Sequence, residues 1–360
     1  MEFFNTLSAI ANNRSNGVPP SDNEYAISSF SQLTDELSHN SEGRLVTMNN
    51  GHLLMVYQKN TQFHHTSATC HLVSRTSTDE GNTWSSESVV FSDNYDDRNH
   101  LVGVLPNGNV IVVFRRKGKD TGYVISQDNA GSWGSYTVFL NESTPNQPFG
   151  KFLTRGADVY FVVQYYTESV YETRLYKSLD NFATLPTFTV IVSDTTKDYD
   201  EPFLEDIDNG RSILIFRNQV HTQYNSTDGL NFTLKGTMNN IWSDMYNNSP
   251  GVPVWLEYIP ESGRLLVLAT YRFSAITDAN NDAEFRVYSA SAQEAFDNSY
   301  TLLDSAVRPM PNEVSFYGYP SITRISQFNY AGVITDRRAA DETIPFSGSN
   351  EFAALYIFNI

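Results

Sequence analysis

Arginine recurs at one kind of position in this acidic chain. Six apolar runs, each built around a turn, can be read along it: Leu45–Tyr57, Leu101–Phe114, Phe149–Gln164, Phe203–Phe216, Val254–Tyr271 and Ile322–Thr335. Four of the runs finish at or just before an arginine, namely Arg115, Arg217, Arg272 and Arg337; the other two finish at Gln58 and Gln164. The residues that open the same units are equally polar or aromatic: Arg44, Arg98-Asn99-His100, Asn146-Gln147, Asp200-Glu201, Trp255, and Tyr317 with Tyr319. Guanidinium groups brought together from several strands can hold a carboxylate through paired N–H donors. Each arginine taken singly could instead be spent on an ion pair between neighbouring strands. The chain carries 24 Lys and Arg against 41 Asp and Glu, so arginines gathered at strand ends stand out from the composition.

Whether these residues meet depends on the elements that carry them. A short motif recurs about every fifty residues: Ser77-Thr78-Asp79-Glu80-Gly81-Asn82-Thr83-Trp84, Ser126-Gln127-Asp128 through Trp133, Ser178-Leu179-Asp180 through Phe182, and Ser226-Thr227-Asp228 through Phe232. That period suits repeated supersecondary units such as propeller blades. Asp79, Asp128, Asp180 and Asp228 are expected to be structural, each fixing a tight turn by accepting backbone amides, with Trp84 and Trp133 packed beneath. Around each motif an apolar strand leads through a Gly or Asn turn into a second, more apolar strand, and a third runs into the Ser-x-Asp turn. The expected fold is all-β: a six-bladed β-propeller over 41–360, preceded by an extension over 1–40. The fifth unit lacks a recognisable Asp turn near Ser289–Phe296. The sixth has one further strand, Phe352–Phe358, and Tyr25–Leu33 is expected to supply its fourth and close the ring. Residues 2–12 (Phe3, Phe4, Leu7, Ile10) read as a short amphipathic helix for docking or self-association. In a propeller, the starts of innermost strands and the ends of second strands share one axial mouth.

Six such units resemble the Asp-box (BNR-repeat) sialidase family over about residues 42–358. The resemblance implies a catalytic role for Glu201, in Asp200-Glu201-Pro202, as base, and for Tyr319, in Tyr317-Gly318-Tyr319-Pro320, as nucleophile. It also implies carboxylate binding by Arg44 and Arg217; Arg115, Arg272 and Arg337 join the ligand-binding set from their places at the second-strand ends, with Arg44, Arg217 and Arg272 as the carboxylate clamp and Arg286 as the alternative to Arg272. A tyrosine attacks a sugar only when its proton is taken, which a neighbouring glutamate would do. Two positions depart from the family pattern. No arginine stands near Asn281–Ala283, where a third clamp arginine belongs. Between Asn50 and Thr78 there is no Asp or Glu to act as acid; the loop offers His64 and His65 instead.

The net charge of −17 argues against nucleic acid and anionic membranes as partners. No apolar run is long enough to span a membrane as a helix. Cys70 is the only cysteine and reads as a buried thiol. The acidic segments Asp278–Glu284 and Asp93–Asp97 read as solvated loops rather than calcium sites. No metal and no cofactor is expected. The sequence supports a glycan-binding propeller, acting outside the cell or on a virion surface and without a recognisable signal peptide. The alternatives are an active exo-sialidase-type hydrolase, or a protein-binding scaffold.

Overall fold

The computed structural model describes residues 26–32, 39–60, 67–141, 146–167, 169–195, 200–217, 221–238, 241, 253–271, 283–308, 314–326, 329–339 and 351–359. β1 (Ala26–Gln32) stands first in the chain but last in the ring. Blade one holds β2 (His39–Thr47), β3 (Leu53–Asn60), β4 (Cys70–Ser77) and β5 (Ser88–Phe91). Blade two holds β6 (Asp97–Val104), β7 (Val110–Arg116), β8 (Asp120–Ser126) and β9 (Thr137–Asn141). Blade three holds β10 (Asn146–Arg155), β11 (Asp158–Tyr166), β12 (Tyr171–Ser178) and β13 (Thr187–Asp194). Blade four holds β14 (Asp200–Asp206), β15 (Ser212–Arg217), β16 (Thr222–Ser226) and β17 (Thr233–Thr237). Blade five holds β18 (Trp255–Ile259), β19 (Arg264–Tyr271), β20 (Ala283–Ser291) and β21 (Thr301–Arg308). The last blade holds β22 (Val314–Arg324), β23 (Asn329–Ala339), β24 (Glu351–Asn359) and β1.

These six antiparallel sheets form a closed ring, because β2, β6, β10, β14, β18 and β22 each pack on the next and β22 returns to β2. β1 pairs antiparallel with β24, Ala26 opposite Asn359 and Gln32 opposite Ala354, so the N-terminal segment closes the ring as expected. β2 begins at His39, which puts the expected boundary at residue 40 inside a strand. The expected helix over 2–12, His64-His65 and most of the acidic segment 278–284 lie outside the described residues.

The second strand of each blade is so apolar because it is buried on both faces. In β3, Leu53, Met55 and Tyr57 pack toward the last blade, with Ala331 and Val333. The alternate residues Leu54 and Val56 pack toward blade two, with Val102, Val110, Val112 and Phe114. β7 and β11 repeat this division, so the core is a series of apolar layers between neighbouring sheets.

The Ser-x-Asp turns form as expected. Ser77 Oγ donates to Asp79 Oδ1 (2.8 Å) and accepts from Gly81 N (2.8 Å), while Asp79 accepts from Thr83 N (2.8 Å) and Thr83 Oγ1 (2.6 Å). Ser126 and Asp128 repeat the pattern with Ala130 and Ser132, and Ser178 and Asp180 repeat it with Phe182 and Thr184. Asp228 takes both the backbone and side-chain N–H groups of Asn231. Hydrogen bonds from the Ser132 and Ser126 side chains hold the Asp128 carboxyl down to about 2. Trp84, Trp133, Phe182 and Phe232 lean on the inter-blade core beneath their turns. Blade five has a short helix here instead, α1 (Ala292–Phe296). Its N-cap Ser291 and Glu294 form a capping box: Ser291 Oγ accepts from Glu294 N (3.3 Å), and Glu294 Oε2 accepts from Ser291 N (2.8 Å). No helix among the described residues is long and apolar enough to cross a membrane.

Candidate functional site

Five of the six innermost strands carry a β-bulge. The register breaks between Ser41 and Arg44, Arg98 and Leu101, Phe149 and Leu153, Asp200 and Phe203, and Gly318 and Ser321. At each bulge one residue takes a left-handed backbone: Glu42 (φ 56°), Asn99 (φ 46°), Gly150 (φ 87°), Glu201 (φ 46°) and Tyr319 (φ 52°). Bulges re-aim side chains and cluster beside functional sites. A left-handed glutamate or tyrosine is uncommon and costs energy that the surrounding fold must hold in place.

The bulge residues of blades four and six meet across the ring. Tyr319 Oη donates to Glu201 Oε1 (3.1 Å), and Arg217 Nη1 donates to Glu201 Oε2 (2.6 Å). Glu201 is 4% exposed. Burial disfavours the Arg217 charge, but Glu201 and then Tyr319 outweigh it, and the guanidinium is held above its ordinary range. Arg44 Nη1 reaches the Tyr319 carbonyl (3.5 Å), and its guanidinium carbon lies 4.8 Å from the Phe149 ring centre, 5.8 Å from Trp255 and 6.0 Å from Tyr319. Residues from blades one, three, five and six therefore converge on the axis.

Arg44, expected in the carboxylate clamp, stands among aromatic side chains. It is 1% exposed, with the Phe149 and Trp255 rings beside its guanidinium. Burial pulls its pKa down, opposed by Glu42, Tyr319 and Glu201. Arg115 is the more open cation at 8% exposed. It donates Nη1 to the Asn146 carbonyl (3.3 Å) and makes no ion pair with a carboxylate among the described residues. Burial lowers its pKa, with Arg98 adding to the effect. Arg272 lies outside the described residues, as does the side chain of Arg337.

Sequence reading missed Glu42. It is 6% exposed; burial raises its pKa, Arg44 opposes this and Glu201 adds to it, and Arg98 and Arg115 also act on it. The signal was register: Ser41 pairs with Gln58 as Asp200 pairs with Arg217, and in both blades the next residue is the bulged glutamate. Asp96 and Asp97 are placed differently. Asp96 clamps Arg98 through Nε (3.0 Å) and Nη2 (2.6 Å). Asp97 is 0% exposed, and its carboxyl is acted on by Asp93 and Arg116. His100 is also 0% exposed; burial drops its pKa to about 3, and the neutral ring donates Nε2–H to the Val56 carbonyl (3.1 Å).

No family model matches the chain, and no curated protein matches it. Solved structures do. A protein of unknown function from Dyadobacter fermentans is 14% identical with a TM-score of 0.71, over 93% of this chain and 99% of that one. The NanB sialidase of Streptococcus pneumoniae is 12% identical with a TM-score of 0.65, over 95% of this chain and 71% of that one. The Trypanosoma rangeli sialidase is 12% identical with a TM-score of 0.60, over 89% of this chain and 55% of that one. At such identities the likeness establishes the fold: an all-β protein of the sialidase-type β-propeller class.

Proposed function

We propose that this chain is a glycan-acting propeller whose axial mouth cleaves a glycoside bearing an acidic group, with Tyr319 as nucleophile and Glu201 as its base. The observation that carries the reading is the 3.1 Å hydrogen bond from Tyr319 Oη to a glutamate already oriented by Arg217. A phenol is a poor nucleophile until its proton leaves, and this pairing gives the proton a place to go. Arg115 supplies the positive charge to anchor the acidic group.

A panel of fluorogenic aryl glycosides, neutral and carboxylated, tests the assignment. The expected result is release from a carboxylated member, abolished in Tyr319→Phe and weakened in KM by Arg115→Ala. Release from none of them would overturn hydrolysis. Glycan-array binding that survives without turnover and weakens on Arg217→Ala would then favour a recognition module. That second reading draws on the absence of Asp and Glu between Asn50 and Thr78, where the resemblance led one to expect the acid.

A further inference from the structure

Cleavage by a tyrosine needs two proton movements: one off the nucleophile and one onto the departing oxygen. Glu201 meets the first need. The second calls for a proton donor, and a carboxyl can serve; general acid help to a leaving group accelerates such steps by ~10²–10⁴. Asp96 is committed to Arg98 through both oxygens. Asp97 is 0% exposed, with Asp93 and Arg116 acting on its carboxyl. Asp200 accepts from Gln147 Nε2 (3.1 Å) and from the Glu201 amide (3.0 Å), a bracing role at the foot of the bulge.

Glu42 is placed differently. It occupies in blade one the bulge position that Glu201 and Tyr319 occupy in blades four and six, with the same left-handed backbone. The three bulges interrupt equivalent innermost strands of one ring, and two of them already bring their side chains together on the axis. The same geometry directs the third side chain there, and Glu42 lies near enough to Glu201 for the two charges to act on each other.

We infer that Glu42 is the proton donor to the departing group, an inference that rests on reading Tyr319 and Glu201 as the nucleophile pair. In the first step Tyr319 Oη bonds to the anomeric carbon and passes its proton to Glu201. The bond from that carbon to the aglycone oxygen breaks, and the oxygen takes the Glu42 proton. In the second step water gives one proton back to Glu42 and its hydroxyl to the anomeric carbon. Tyr319 leaves and recovers its proton from Glu201. Glycoside and water become sugar and alcohol, and every protein group returns to its starting state. Burial favours a protonated Glu42 before the reaction, with Glu201 in support. Arg44, Arg98 and Arg115 favour the carboxylate that forms once the proton has gone. A carboxyl between such opposed influences is suited to both halves of the cycle.

The test is Glu42→Gln in the full chain, assayed on two carboxylated glycosides of the same sugar, one with a nitrophenol-type leaving group and one with an alkyl alcohol. The expected result is a loss of ~10²-fold or more on the alkyl glycoside, less than about tenfold on the activated one, and loss of the basic limb of the pH profile. Equal losses on both substrates, or an unchanged basic limb, would overturn the assignment. A Glu42→Asp variant provides a second readout if the glutamine variant does not fold: it keeps a carboxyl, so its basic limb should persist but move. An unmoved limb counts against Glu42. If the wild-type chain cleaves neither substrate, or Tyr319→Phe cleaves as well as wild type, the nucleophile reading fails and the Glu42 assignment, which rests on it, falls with it.

Discussion

Replacing Glu201 with alanine and with glycine should give two variants whose stabilities fall in the reverse of the usual strand order. Both lose the carboxylate, leaving Arg217 without its 2.6 Å partner. Removing one member of a buried pair costs about 3–5 kcal/mol, and the lower end applies here because the Arg217 side chain is 16% exposed and can take on water. That cost is common to both variants and cancels in the comparison. What remains is the backbone at φ 46°. A left-handed conformation costs an L-residue about 1–2 kcal/mol. Glycine escapes that cost but loses about 0.5–1 kcal/mol more chain entropy on folding. The glycine variant should therefore be the more stable by about 0.5–1 kcal/mol. At an unfolding entropy of about 2.1 cal/mol/K per residue, this is about 1 °C in Tm for a chain of this length. Replicate thermal melts resolve such a difference. The same pair at Glu42 should give the same sign. At Gln147, which has no left-handed backbone, alanine should win by about 0.5–1 kcal/mol. Alanine matching or beating glycine at both 42 and 201 would refute the strained-bulge account of the mouth.

Burial raises the Asp97 carboxyl to about 8, with Asp93 adding to the effect, against an ordinary value of 3.8. The folded state then binds the proton more tightly than the unfolded chain, so this contribution is present at acid pH and is lost as pH rises from about 4 to about 8. Asp97→Asn should flatten the stability profile across that window, read by urea melts at several pH values; an unaltered slope would contradict the placement of Asp97. Burial pushes the Cys70 thiol up to about 12, with Asp96 adding to it, and Gln58 Nε2 donates to its sulfur (3.1 Å). A thiol reagent should find no reactive cysteine in the native protein and one after denaturation; fast native labelling would show the site to be open. Arg217→Ala, which strands Glu201 at 4% exposure, should destabilise by about 3 kcal/mol or more, whereas Tyr319→Phe should change stability by less than about 1.5 kcal/mol. Equal losses would mean that the Tyr319 hydroxyl is structural.

Much of this architecture could be read before any coordinates were known. Turn chemistry and hydrophobic runs are local signals, so the Ser-x-Asp turns, the doubly buried second strands and the closing role of 26–32 were all legible. Blade five's helix had its own local sign, Ser291 three residues before Glu294. Glu201, Tyr319 and Arg217 came from the resemblance, and Glu201 and Arg217 also stand at the start and the end of their strands. Glu42 was not legible, because the apolar run that marks the first unit begins at Leu45, whereas the strand begins at His39. A bulge also breaks the two-residue alternation from which facing is inferred, and its position is fixed by the partner strand. Arg44 shows a different blindness. Sequence can place a guanidinium near an axis, but whether Phe149 and Trp255 lie over it depends on three blades packing at once.

The pairing of β1 with β24 ties residues more than three hundred positions apart, and it sets an order of events during synthesis. The first five sheets are each contiguous in sequence and can form as the chain emerges. The last cannot be completed until β24 has been made, so a ribosome would hold an open crescent with a waiting strand at its front. Once closed, the ring has no exposed first blade from which to unravel; release of β1 is the natural opening step. The register also suggests how to change that order. Asn359 lies opposite Ala26, so a short turn could join them, with new termini cut between β1 and β2. In such a permutant every blade would be local, and the latch would become an ordinary hairpin.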